Sequence, residues 1–235
     1  MTAHDIVYAC DISDMGVLRL YGSDCEAFLK TMFSGAMGCL EELFGVSQGL
    51  ILNGQGQVID LVSALRTGDS EFLLLCTASN SDEVFEWLSA HAELADDNGP
   101  VFGDTHLEND SEKMAIMALY GSGLEGVLQA LERACGQQQL YLKCDFAKKA
   151  YGIPFAPGCF LFVPMQLAES IGDVLQGILT LEVLNYDEYR RQLLDNGCLC
   201  EALEEGEYST PQELGLMDYL RDGADFVGAR AVFGS

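Results

Sequence analysis

Apolar residues along the chain fall into short strand-like blocks separated by stretches with helical spacing. The run Leu50 to Leu65, LILNGQGQVIDLVSAL, has two apolar arms, Leu50–Asn53 and Val58–Leu65. Between them lies Gly54-Gln55-Gly56-Gln57, which predicts a hairpin turn. Upstream, Gly16–Leu20 reads as a strand and Ser23–Phe33 as a helix, with Ser23 or Asp24 capping it and Phe28, Leu29 and Met32 turned inward. Downstream, Glu71–Ala78 (EFLLLCTA) is a buried strand. Asp82–Leu94 is an amphipathic helix carrying Val84, Phe85, Leu88 and Ala92 on one face.

Strands at Val101–Asp104, Lys113–Tyr120 and Gln139–Cys144, with a helix at Leu124–Ala134, extend this to a β-α-β-β-α-β order. The pattern predicts an α+β fold of antiparallel sheets with packed helices, including a ferredoxin-like βαββαβ unit. Further on, Cys159–Val163 reads as a strand, Pro164 opens a helix to Ile178, and another helix runs from Asp187 to Asp195 and stops at Asn196-Gly197. Thr210-Pro-Gln-Glu213 has capping-box spacing and predicts a helix through Leu220. The segments LYGSDCEAFL from Leu20 and LYGSGLEGVL from Leu119 share Leu, Tyr, Gly, Ser, Glu and Leu at equal offsets. That fits either two related strand-to-helix units or convergence at such junctions.

Composition narrows the function classes. The 235 residues, 49% hydrophobic and 21% charged, suit a globular protein able to bury a core. With 12 basic against 37 acidic side chains, the formal net charge of −25 disfavours nucleic acid and anionic membrane as partners. No apolar run reaches a membrane span, and the acidic N-terminal stretch is unlike an export signal. Nine scattered cysteines fit reduced thiols, so the expected location is cytoplasmic.

The usual chemistry motifs are incomplete. Gly54-Gln55-Gly56 lacks the third glycine of a dinucleotide fingerprint, and Ser122 lacks the spacing of a hydrolase elbow. His4, His91 and His106 are far apart, and Cys198 and Cys200 have no second cysteine pair, so no metal is expected. Lys143, Lys148 and Lys149 form a basic cluster that could meet a ligand carboxylate or simply be solvated. The most informative residue is Asp60, a carboxylate inside an apolar strand. It faces a polar cleft, meets a buried donor, or lies at a sheet rim in water.

In VLRLYGSDCEAFL from Val17, LNGQGQVID from Leu52, STPQELGL from Ser209 and DFVGARAV from Asp225, the chain resembles the aminomethyltransferase family, the glycine cleavage T-protein and its relatives, including YgfZ-like folate-binding proteins. The resemblance implies a T-protein-like fold, with residues 1–50 plus 145–235 as one subdomain and 51–144 as a ferredoxin-like one. T-proteins continue into a small β-barrel where this sequence reaches Ser235. It also implies tetrahydrofolate as cofactor, Asp60 as the catalytic base, and Asn53, Asp60, Asp195 and Glu204 as folate-binding positions. Of the family's two adjacent aspartates, Asp60 is present and Leu61 replaces the second. Phe160 stands for a folate-contacting glutamate, and Leu193-Leu-Asp-Asn-Gly197 lacks a recurrent arginine.

The function implied is one-carbon transfer from an amine donor to tetrahydrofolate. The alternative is a non-catalytic folate-binding accessory or a small T-protein-like subunit of a larger oxidoreductase. Either would work with a protein partner or as a homodimer.

Overall fold

A computed structural model describes residues 6–135, 142–145, 158–178, 181–195, 209–222 and 225–234. The chain divides into two compact units, residues 1–14 with 111–199, and residues 15–110 with 200–235. Both units are α+β with largely antiparallel sheets, as the apolar pattern predicts.

The strands in chain order are β1 Val7–Asp11, β2 Gly16–Tyr21, β3 Val46–Leu52, β4 Val58–Gly68, β5 Glu71–Cys76, β6 Ala95–Asp96, β7 Gly99–Pro100, β8 His106–Asn109, β9 Met114–Tyr120, β10 Leu142–Asp145, β11 Gly158–Pro164 and β12 Leu181–Leu184. The helices are α1 Cys25–Met32, α2 Ser81–Ala92, α3 Leu124–Cys135, α4 Ala168–Gln176, α5 Tyr186–Asp195 and α6 Ala229–Phe233. None is long and apolar enough to cross a membrane among the described residues.

In the second unit the sheet order is β3-β4-β5-β2-β8. The order β2-α1-β4-β5-α2-β8 is a ferredoxin-like βαββαβ with β3 added at its edge. One sheet face packs under α1 and α2 through Leu18, Leu20, Phe28, Leu29, Phe72 and Leu88. Each such side chain contributes about 1.5–3 kcal/mol when fully buried. In the first unit the order is β10-β11-β9-β1-β12. Here β9-α3-β10-β11-α4-β12 repeats the same scheme with β1 inserted between β9 and β12. Val7 and Leu119 of the sheet meet Val127, Leu131 and Ile171 of the helices.

The ferredoxin-like order therefore occurs twice, and in different elements from those expected. Residues 51–144 are shared between both sheets, β4, β5 and β8 in one and β9 and β10 in the other, and β2 pairs with β5 along its length, Gly16↔Cys76 to Tyr21↔Glu71. That pairing draws β2 into the second unit, and the units divide at 14/15, 110/111 and 199/200 rather than at 50 and 144.

The repeated LYGS segments mark equivalent places, the first strand-to-helix junction of each unit. At each, a glycine has positive φ, Gly22 at 116° and Gly121 at 141°. A Cβ there would lie 2.2 Å from a backbone carbonyl oxygen, that of Asp104 or Ile6 respectively. The conformation and the close approach both require glycine.

Local departures have identifiable causes. The backbone of α1 is not capped by Ser23 or Asp24 side chains. Instead Ser23 N–H donates to Asp104 Oδ2 at 2.8 Å, and Asp104 N–H to Asp24 Oδ2 at 3.0 Å. The expected strand at Val101–Asp104 is a turn, and the strand begins at His106. The Thr210–Glu213 capping box forms, with Thr210 N–H donating to Glu213 Oε2 at 2.8 Å. The chain beyond makes one turn and a short 3-10 segment, Met217–Tyr219, because Gly215 turns to φ 69°. The Asn196-Gly197 stop, Cys198, Cys200, Lys148 and Lys149 lie outside the described residues.

Candidate functional site

The hairpin of β3 and β4 carries the two residues of highest prior interest. At its turn, Asn53 Oδ1 accepts from the backbone N–H of Gln55 and of Gln57, both at 3.0 Å, while Asn53 Nδ2 donates to Gln57 Oε1 at 2.9 Å. These bonds make Asn53 the organiser of the turn. Its polar atoms serve the hairpin rather than an outside ligand.

Along β4 the strand period of two places Asp60 on the same face as Val62 and Ala64, which belong to the core under the helices. Leu61 is on the opposite face. Asp60 is fully buried, and of the three alternatives open from sequence the buried-donor one is realised. Thr77 donates its backbone N–H to Oδ2 at 2.8 Å and its hydroxyl to Oδ1 at 2.6 Å. Asn80 Nδ2 reaches Oδ1 at 3.5 Å and the Ile59 carbonyl oxygen at 3.2 Å.

Thr77 and Asn80 form the β5–α2 connection, with Asn80 preceding the first turn of α2. The carboxylate thus sits beside a helix N-terminus, where negative charge is favoured. Burial nevertheless dominates. It pushes the Asp60 carboxyl up to about 6, against the bonds from Thr77, the Leu61 backbone and Asn80, which pull the other way. Burial and then the neighbouring Asp60 charge hold the Cys76 thiol well above its ordinary value. Asp60 latches β4 to the start of α2 and exposes no surface to solvent.

The other two expected positions lie elsewhere in the chain. Asp195 is an exposed carboxylate ending α5 in the first unit, and Glu204 lies outside the described residues. The side-chain oxygens of Asp60 and Asn53 accept from groups within the protein, Thr77 and Asn80 for Asp60 and the turn backbone for Asn53. In this arrangement Asp60 is turned to Thr77 and Asn80 and not to an outside proton donor. Among the described residues no group of three or more His, Cys, Asp or Glu is placed to hold a metal.

Three constellations escaped the sequence reading. Arg221 donates through Nη1 to the carbonyl oxygens of Phe33 and Gly35, and through Nη2 to that of Lys30, so it closes the C-terminal end of α1. Its guanidinium also lies 4.8 Å from the Phe226 ring centroid. Arg19 bridges Glu108 at 2.6 Å and Asp110 at 3.0 Å, and Tyr21 Oη donates to Glu108 at 2.8 Å. In the first unit Tyr120 stacks on Tyr8 at 5.3 Å and donates to Gln192 Oε1 at 2.7 Å. The only sequence signal for the Asp60 latch was a Thr and an Asn just after an apolar strand, a pattern common at helix starts.

Comparison with known proteins places these features in context. The family described as GCVT N-terminal domain matches residues 1–151. An aminomethyltransferase of Bacillus cytotoxicus is 30% identical over 119 residues, 51% of this chain and 30% of its own length. One of Geobacillus sp. is 33% identical over 121 residues, 52% of this chain and 30% of its own. The matched segment thus spans about a third of these relatives. Among solved structures, the glycine cleavage system aminomethyltransferase T of Bartonella henselae superposes with a TM-score of 0.79 at 20% identity, covering 99% of this chain and 63% of that one. At that identity the superposition shows a shared fold.

Proposed function

The chain belongs to the GCVT N-terminal domain family, and on that premise we propose that it is a non-catalytic, folate-binding T-protein-like accessory that works with a protein partner. One observation carries the non-catalytic part. The family resemblance offers two adjacent aspartates as the base, and here Asp60 is buried against the β5–α2 connection while its neighbour is Leu61. A general base must come within hydrogen-bond reach of the proton it takes. A leucine has no proton acceptor, and Asp60 spends both oxygens on Thr77 and Asn80, which supports the non-catalytic reading.

Family membership supports tetrahydrofolate as the ligand, bound through groups other than Asp60 and Asn53. A net charge of −25 favours a partner that is basic or less acidic, since two such surfaces repel at low salt.

The test is a transfer assay with an aminomethyl donor and tetrahydrofolate, run on the purified chain and its Asp60→Asn variant. The expected result is no one-carbon transfer above the uncatalysed background from either protein. Turnover by the wild type that disappears in the variant would overturn the reading and make Asp60 the base.

A further inference from the structure

The first unit holds a cavity of about 320 Å³ on the helix-covered side of its sheet, within the size range of small-molecule pockets. Its floor is Ala115 and Met117 of β9, its roof Ala168 and Gly172 of α4, and its open end is flanked by β12 and the start of α5. The space exists because small residues face one another there. A Cβ added at Gly172 would meet nothing within 4 Å.

The walls are mainly apolar, and among the lining residues Asp11, at the rim, is the one charged at neutral pH. Asp11 Oδ1 accepts from the Ser13 backbone N–H at 3.0 Å and from the Ser13 hydroxyl at 2.5 Å. Oδ2 has no protein partner among the described residues. Val183, 64% exposed on β12, and Tyr186, 40% exposed on α5, leave the mouth open to solvent.

We propose that this pocket binds a small organic cation with an apolar body, a primary alkylammonium, its chain between α4 and the sheet and its head at Asp11. The walls supply most of the affinity through burial of methylene groups. The charge on Asp11 selects cation over neutral isostere. Because Asp11 is solvent-exposed, that selection is modest, about threefold to fivefold. The net charge of −25 adds to it by excluding anionic amphiphiles of the same size. This site is independent of the folate reading above.

The experiment titrates the full chain with n-octylammonium and with n-octanol at physiological ionic strength, using calorimetry or saturation-transfer NMR. Wild type is expected to bind the ammonium saturably and about threefold or more tighter than the alcohol. Gly172→Leu fills the cavity with a better helix former, so the variant should fold at least as stably and lose the ammonium by at least about tenfold. Ala168→Leu serves as the second filling variant should Gly172→Leu fail to fold. Asp11→Asn should bring the ammonium to the alcohol's affinity.

General attraction of cations to an acidic surface would survive both filling variants, and that result would overturn the proposal. So would equal affinity for alcohol and ammonium in the wild type, or no saturable binding at all. Tetrahydrofolate titrated into the same variants is expected to be unaffected, so failure of one reading is distinguishable from failure of the other.

Discussion

At the scale of single residues, the account turns on a carboxylate whose proton affinity rises on folding. Asp60 has an ordinary value of 3.8 and is pushed up to about 6 by burial. The folded state therefore binds a proton more tightly than the unfolded state, so this group's contribution to stability falls as pH rises from about 4 through 6. On going from pH 7.5 to 4.5 the wild type should gain about 2 kcal/mol that Asp60→Asn does not. Chemical denaturation of both proteins across that range checks it, and parallel curves would contradict it. Thr77→Val removes one donor to the carboxylate, keeps the backbone donor, and raises the Asp60 value further. Its cost, about 1–3 kcal/mol, should be greater at pH 8 than at pH 5. The importance of Asp60 was legible in the sequence as a charge among apolar residues. Its partner was not, because Thr77 and Asn80 meet it only through the pairing of β4 with β5.

At the scale of elements, most strands and helices follow from the apolar period, with their ends shifted by a few residues. The elements that were missed, β1, β12 and the hairpin of β6 and β7, are short, and their pairing is decided by distant strands. Thus β1 is held by β9 on one side and β12 on the other. The shared LYGS segments did mark a real structural repeat, and this yields a paired prediction. Gly22→Ala forces a Cβ to 2.2 Å from the Asp104 carbonyl oxygen and should cost at least about 2 kcal/mol. Gly126→Ala, in α3 with nothing within 4 Å, should instead stabilise by about 0.5–1 kcal/mol. Thermal unfolding of the two variants reads the opposite signs directly, and two shifts of the same sign would contradict the assignment.

At the scale of the whole molecule, two ferredoxin-like units and the family match account for the T-protein fold, and the proposed structural role of its most conspicuous aspartate is compatible with that fold. The fold class was legible because it rests on periodicity spread over the whole chain. The role of Asp60 depends on which face of one strand it occupies, and a shift of one residue along β4 would reverse it. High acidity should make any self-association salt-dependent. Light scattering is expected to show a shift towards larger species between low and high ionic strength if the chain pairs with itself, and no shift if its partner is a different protein.

The most direct test of the central claim is a calorimetric titration of tetrahydrofolate into the wild type and Asp60→Asn. The account predicts saturable binding to both, with dissociation constants within about threefold of each other. Absence of binding to the wild type, or a loss of tenfold or more in a variant that remains folded, would contradict it.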